Sequence, residues 1–123
     1  MSANFWCWLP MLGLLPGSRD FSHRVEGIQE ASPRPPATAI VEFVGALTKR
    51  YPELKEGQTN TVWADGPLLG DASGQFIDIG ILWDRSEEAV PFIVLTANKF
   101  GLNCYDPQNS RFYPVKNSNH PLP

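Results

Sequence analysis

Between Asn4 and Leu9 the side chains alternate, with Phe5, Cys7 and Leu9 on one side and Trp6 and Trp8 on the other. Alternation is the period of a strand, and apolar residues on both sides predict a strand covered on both faces. From Pro10 to Pro36 no period holds: Pro16-Gly17, a mixed polar stretch, then Pro33, Pro35 and Pro36 predict an irregular segment over 10–37, with a short helical turn around Phe21 to Ile28. The pattern sharpens where Ile40, Phe43, Val44, Leu47 and Tyr51 recur at i, i+3, i+4, i+7 and i+11, the stripe of an amphipathic helix. Thr38 is placed to cap it, Lys49 and Arg50 favour its negative end, and Pro52 stops it.

Val62 to Gly74 places two Asp-containing, Gly-rich turns around a very short apolar piece. The strongest strand signal follows, Gln75 to Trp83, with Ile77, Ile79, Ile81 and Trp83 in phase; it predicts a central strand. Asp84 with Glu87 makes a capping-box pattern, so a second helix starts there, with Ala89, Phe92 or Ile93, Thr96 or Ala97, and Phe100 as its stripe. Pro91 should bend it or tighten its first turn, and Gly101 should end it. Leu102 to Tyr105 and Arg111 to Val115 read as a hairpin around Asp106 to Asn109, and 117–123 as a frayed tail. The strand, helix and strand from Gln75 to Tyr105 fit either a parallel crossover or an antiparallel return. The expected fold is one α+β domain over 1–123, a mixed or antiparallel sheet of about four strands with two helices on one face.

A chain of 123 residues has room for one core, and 42% hydrophobic with 19% charged residues is a globular balance. The net charge of −3 is spread without a basic face, which argues against nucleic acid as a partner. The apolar run from Phe5 to Leu15 is broken by Pro10 and Pro16, has no Lys or Arg before it and no small-x-small site after it. It is too short to span a membrane and does not read as a signal peptide, so a cytoplasmic location is expected.

Catalytic chemistry finds little support. Only Cys7 and Cys104 are present, with no zinc spacing; the two could pair as a disulfide in an oxidising compartment, but two buried, reduced thiols are expected in a cytosolic protein. His23 and His120 lie in irregular sequence, away from any rigid element that would aim them. Cys104, at a strand end, is the better nucleophile candidate, but no cation or helix N-terminus stands near it in sequence to lower its pKa. Asp65, Asp71, Asp78 and Asp106 match no calcium loop and are what turn chemistry supplies, so neither metal nor cofactor is expected. The glycines at 66, 70 and 74 lead into a strand and lack a P-loop lysine.

What remains is a surface. Trp63 beside Asp65, and Trp83 beside Asp84, Glu87 and Glu88, put rings next to carboxylates on loops, the composition of a protein-binding patch. Core is the alternative for both rings, and Trp83, in phase with three isoleucines, is assigned there. The candidate partner-binding set is therefore Trp63, Asp65, Asp71, Asp84, Glu87 and Glu88.

The stretches Leu47-Thr48-Lys49-Arg50-Tyr51-Pro52-Glu53-Leu54, Val62-Trp63-Ala64-Asp65-Gly66-Pro67-Leu68-Leu69-Gly70-Asp71, Glu87-Glu88-Ala89 and Gly101-Leu102-Asn103-Cys104-Tyr105-Asp106-Pro107-Gln108 carry a resemblance. Over roughly residues 38 to 108 the chain resembles a family of small bacterial cytoplasmic proteins with the same order of motifs. The closing Gly-Leu-x-Cys-Tyr-Asp-Pro-Gln is the most specific of them. The resemblance implies a non-enzymatic protein of the kind that serves as immunity partner to a secreted bacterial toxin, binding the toxin's C-terminal domain. The residues themselves leave two alternatives open, a small hydrolase-type enzyme using Cys104 or the acidic turns, and a general protein adaptor.

Overall fold

The computed structural model describes residues 2–53, 61–64 and 66–116. Asp65, His120 and the tail 117–123, for which the sequence sets expectations, lie outside these residues. In chain order the elements are β1 (Ser2–Trp8), α1 (Phe21–Glu30), α2 (Thr38–Arg50), β2 (Ala72–Ser73), β3 (Phe76–Leu82), α3 (Ser86–Lys99), β4 (Asn103–Asp106) and β5 (Arg111–Tyr113).

The strands form one five-stranded sheet in the order β2-β3-β1-β4-β5, and every neighbouring pair is antiparallel. The α+β class expected from sequence is observed, with one more strand and one more helix. Because β3 and β4 both run against β1, they are parallel to each other, and α3 carries the chain from one to the other across the strand between them. The crossover left open by the sequence is therefore parallel but not adjacent. β3 is an interior strand, as its pattern predicts, and β1 beside it takes the middle position.

Alternation in β1 sets the layers. Phe5 and Cys7 face the core built by Ile40, Phe43 and Leu47 of α2 and Ala89, Ile93 and Ala97 of α3, together with Ile77, Ile79 and Ile81 of β3. The helical stripes and the isoleucine phase read from sequence are thus the residues that meet. Trp8, with Trp6 packed alongside, faces the opposite way into a second cluster with Phe21 and Val25 of α1 and Phe76 of β3. Trp8 stacks on Phe112 with ring centroids 6.0 Å apart and planes 4° from parallel, and Phe21 meets Tyr105 edge-on at 5.0 Å. Offset and edge-on pairs of this kind add to the area that the rings remove from water.

This second layer corrects the reading of 10–37 as irregular and of two helices on one face. Phe21, Val25 and Ile28 recur at i, i+4 and i+7, enough to fix a ten-residue helix once the aromatic face of the sheet lies beneath it. Arg24 holds the preceding loop to this helix, donating to the carbonyls of Gly13 (2.7 Å) and Leu12 (2.9 Å). Gly13 turns that loop at φ +74°, a conformation side chains disfavour.

Helix ends follow partly different rules from those expected. Thr38 is the first helical residue and its side chain makes no cap; the position before it, Ala37, instead donates its N–H to Gly74 O on the β2–β3 turn. The Asp84 and Glu87 capping box is likewise not formed, because Trp83–Arg85 is a 3-10 turn and Arg85 holds the N-cap position. The C-terminus of α3 does match: Gly101 at φ +75° sends its N–H to Asn98 O, and Leu102 N–H reaches Ala97 O, a Schellman closure. No helix among the described residues is long and apolar enough to cross a membrane.

Ile79 is fully buried at the centre of the larger cluster. Ile79→Asp puts an unpaired carboxylate there and should abolish cooperative unfolding, as measured by circular dichroism during thermal melting.

Candidate functional site

An open groove of about 670 Å³ lies where β1 emerges from the sheet, between the start of α3 and the β4–β5 turn. Its apolar surface comes from Phe5, Ile81, Val90 and Tyr113, and its rim carries Trp83, Asp84 and Glu87. Among the described residues no Lys, Arg or His lines it, whereas three carboxylates do, those of Asp84, Glu87 and Asp106. Trp83 is 49% exposed there.

The two tryptophans flanking the isoleucine strand have exchanged the positions expected of them. Trp83 continues the alternation of β3 in sequence, but the strand ends at Leu82 and the 3-10 turn swings the indole outward. Ser86 fixes this turn, its hydroxyl donating to Trp83 O at 2.8 Å. Trp63, assigned to the surface, is 1% exposed and belongs to the larger core. It bridges Ile81, the flanking Ala64 N–H donates to Gly80 O, and its indole N–H donates to Tyr51 O. As a buried residue with its polar atom satisfied, Trp63 is not available as a surface anchor.

The remaining candidates do not form one patch. Asp84 and Glu87 line the groove. Glu88 turns to the other side of α3, where it pairs with Arg85 and accepts from Tyr51 OH at 3.3 Å. Asp71 sits in an exposed 3-10 turn beside a separate cleft of about 250 Å³ at the β2 edge of the sheet. Asp65 lies outside the described residues. Trp83 and Tyr113 were missed, the first because period alone does not reveal where a strand stops, the second because the closing hairpin offered only a turn signal.

Asp106, read as a simple turn acid, has a larger structural part. It is 8% exposed, and its carboxylate accepts from the backbone N–H of Gln108 (3.0 Å) and Asn109 (3.3 Å) and from both their side-chain amides (2.9 and 2.8 Å). Gln108, positioned this way, bonds the backbone of Asn4: its Oε1 accepts the Asn4 N–H at 2.6 Å and its Nε2 donates to Asn4 O at 2.8 Å. β4 pairs with β1 only from Trp6 to Trp8, and the side-chain amide stands two positions beyond Trp6, where a continued ladder would next bond the Asn4 backbone. The closing turn Asp106-Pro107-Gln108 thus builds the groove's wall.

Electrostatics on the far side of α3 are ordinary surface electrostatics. The Arg85 guanidinium, hydrogen-bonded to Glu88, holds that carboxyl below the usual glutamate range, and Glu88 in turn raises Arg85. Arg85 also donates to Thr61 O at 3.2 Å, tying 61–64 to the helix start. His23 is exposed on α1, and Cys104 is buried against Cys7, which removes its sulfur from any groove. No group of three or more metal-ligating side chains occurs among the described residues. No family model, curated protein or solved structure matches this chain.

Two outcomes follow. Asp106→Ala leaves several donors without their acceptor and should cost about 2–3 kcal/mol of stability in denaturant unfolding. For Glu88 the folded pKa is depressed, so its contribution is complete above the unfolded value near pH 4.5 and disappears as pH falls through the folded value. Arg85→Ala should move the Glu88 carboxyl titration, followed by NMR, up toward the ordinary glutamate range, with Tyr51 and Arg50 still holding it somewhat below.

Proposed function

We propose that this chain is a non-catalytic, cytoplasmic binding protein of the immunity type, which neutralises a bacterial protein toxin by seating a basic, partly apolar surface of that toxin in the groove at the start of α3. One observation carries the reading: a half-exposed indole, Trp83, stands on a groove of mixed apolar and polar lining whose charged groups, among the described residues, are all carboxylates. Large rings in partly desolvated grooves supply most of the binding energy of protein interfaces, and flanking charges of one sign select a partner of the other. Asp84 and Glu87, already expected to meet a partner, are the acids that stand there, while Trp83 takes the part first given to Trp63. The motif resemblance over residues 38 to 108 supports the immunity class and the toxin as partner.

The groove is built on rigid elements. Ile81 and Phe5 are in paired strands, Val90 is in α3, and the Asp106 network fixes the opposite wall. A preformed surface loses little entropy on association, as a stoichiometric inhibitor requires. The toxin's own chemistry does not enter, because a covering surface reflects its partner's shape and charge.

The test uses the C-terminal domain of the polypeptide encoded immediately upstream of this chain, with association and dissociation followed at two salt concentrations. Trp83→Ala should weaken binding by about 2 kcal/mol or more, roughly thirtyfold in Kd. Glu87→Lys should chiefly slow association and flatten its salt dependence. Both side chains are exposed, so melting temperatures should stay near the parent value. Unchanged kinetics in both folded variants would move the interface elsewhere, and failure of the parent protein to bind or protect against that domain would overturn the immunity reading.

A further inference from the structure

β1 and β4 are neighbours in register, and Cys7 stands directly opposite Cys104. Their sulfurs are 3.3 Å apart although the residues are separated by 97 positions, and both thiols are free and at most 1% exposed. Directly opposed residues on antiparallel strands have Cα atoms roughly 4.5–5.5 Å apart, which falls within the span a disulfide tolerates. The distance still to be closed belongs to side-chain rotation, since the backbones are already held by the ladder. The sequence alone predicts two inert buried thiols. Their placement adds that each is the other's nearest reaction partner.

We propose that Cys7 and Cys104 form an oxidisable pair, a modification site at which exchange with a small disulfide closes a covalent link between β1 and β4. In the first step the thiolate of one cysteine attacks a sulfur of glutathione disulfide, forming a mixed disulfide and releasing one glutathione thiolate, which takes up the proton. In the second step the other cysteine's thiolate attacks the protein sulfur of that mixed disulfide and releases the second glutathione as thiol. Two protein thiols are oxidised, one glutathione disulfide is reduced to two thiols, and both protons end on glutathione. The opposing sulfur makes the second step intramolecular, so the mixed disulfide should not persist.

The same burial sets the rate. Desolvation is the largest influence raising the Cys7 thiol above its ordinary range, followed by its hydrogen bond with Cys104, so thiolate is scarce while the sheet is closed. Oxidation then requires the hairpin of β4 and β5 to open. That hairpin is the natural unit to do so, because β4 contacts β1 over three residue pairs and β5 is a three-residue edge strand. The closed disulfide would resist reduction for the same reason, making the pair a slow lock rather than a fast sensor. What it locks includes the Asp106 and Gln108 turn at the end of β4, independently of whether the groove binds a toxin.

The experiment takes the reduced full chain, incubates it with excess glutathione disulfide in buffer and in urea below the unfolding transition, and follows intact mass, free thiols and thermal melting. The expected product is a monomer lighter by two hydrogen atoms, without glutathione attached, formed faster in urea. Its melting temperature should rise by on the order of 10 °C, because the link closes a long loop in the unfolded chain, and fall again on treatment with dithiothreitol. Cys104→Ala, or Cys7→Ala should the first not fold, should instead retain a glutathione adduct and show no rise. A persistent glutathione adduct on the parent chain, covalent dimers, a disulfide that lowers the melting temperature, or thiols that stay reduced even in urea would each overturn the proposal.

Discussion

A middle strand that is apolar on both faces cannot be left with either face in water, and β1 imposes this condition on the whole chain. Phe5 and Cys7 require α2 and α3 on one side, and Trp6 and Trp8 require something on the other. The segment that follows β1 directly meets the second demand, together with Phe76, Tyr105 and Phe112 on the same sheet face. That segment carries Leu14, Phe21 and Val25 across the sheet and buries them on the tryptophans. The crossover of α3 over β1 is the same condition met from the other end, since it brings β4 to the free edge of β1 while keeping the helix over the aliphatic face. Removing apolar area from water on both faces at about 25 cal/mol per Å² is what sets the backbone of this small domain.

Much of this was legible because period survives without context. The stripe Ile40, Phe43, Val44, Leu47 and the alternation of Ile77, Ile79 and Ile81 identified the elements and the sides that meet, and Gly101 identified a helix end through its backbone conformation. α1 was legible only as a short helical turn around Phe21 to Ile28, because three apolar positions spread over two turns between proline-rich flanks are too short a signal to fix its full length; the sheet beneath stabilises the ten-residue helix. Helix starts were misread for a related reason. Thr38 and Asp84 have capping chemistry, but their backbones were claimed by other partners, a strand-turn carbonyl for Ala37 and a 3-10 turn for Trp83–Arg85.

The candidate site shows the same division between chemistry and place. That aromatic rings and acids would gather around the start of α3 was readable, and Asp84 and Glu87 do lie on one groove. Which tryptophan joined them was not, because it depends on a strand ending one residue before its pattern does. Val62 to Ala64, read together with the Gly-rich turn that follows it, is held flat against β3 by two backbone hydrogen bonds, and Trp63 goes inward with it. Charge pattern likewise did not separate Glu87, facing the groove, from its neighbour Glu88, occupied with Arg85 and Tyr51.

Gln108 bears on how the protein keeps to itself. An unpaired stretch of middle strand presents backbone donors and acceptors that any extended chain, including a second copy of this one, can use to lengthen the sheet. The amide of Gln108 occupies those groups at Asn4 with the geometry of a peptide bond, yet it is a side chain and offers no further ladder beyond itself. The strand is thereby ended at that point, so that growth of the sheet by edge-to-edge stacking finds no template beside Asn4. A glutamine in a turn in this way covers backbone groups of β1 that β4 leaves unpaired.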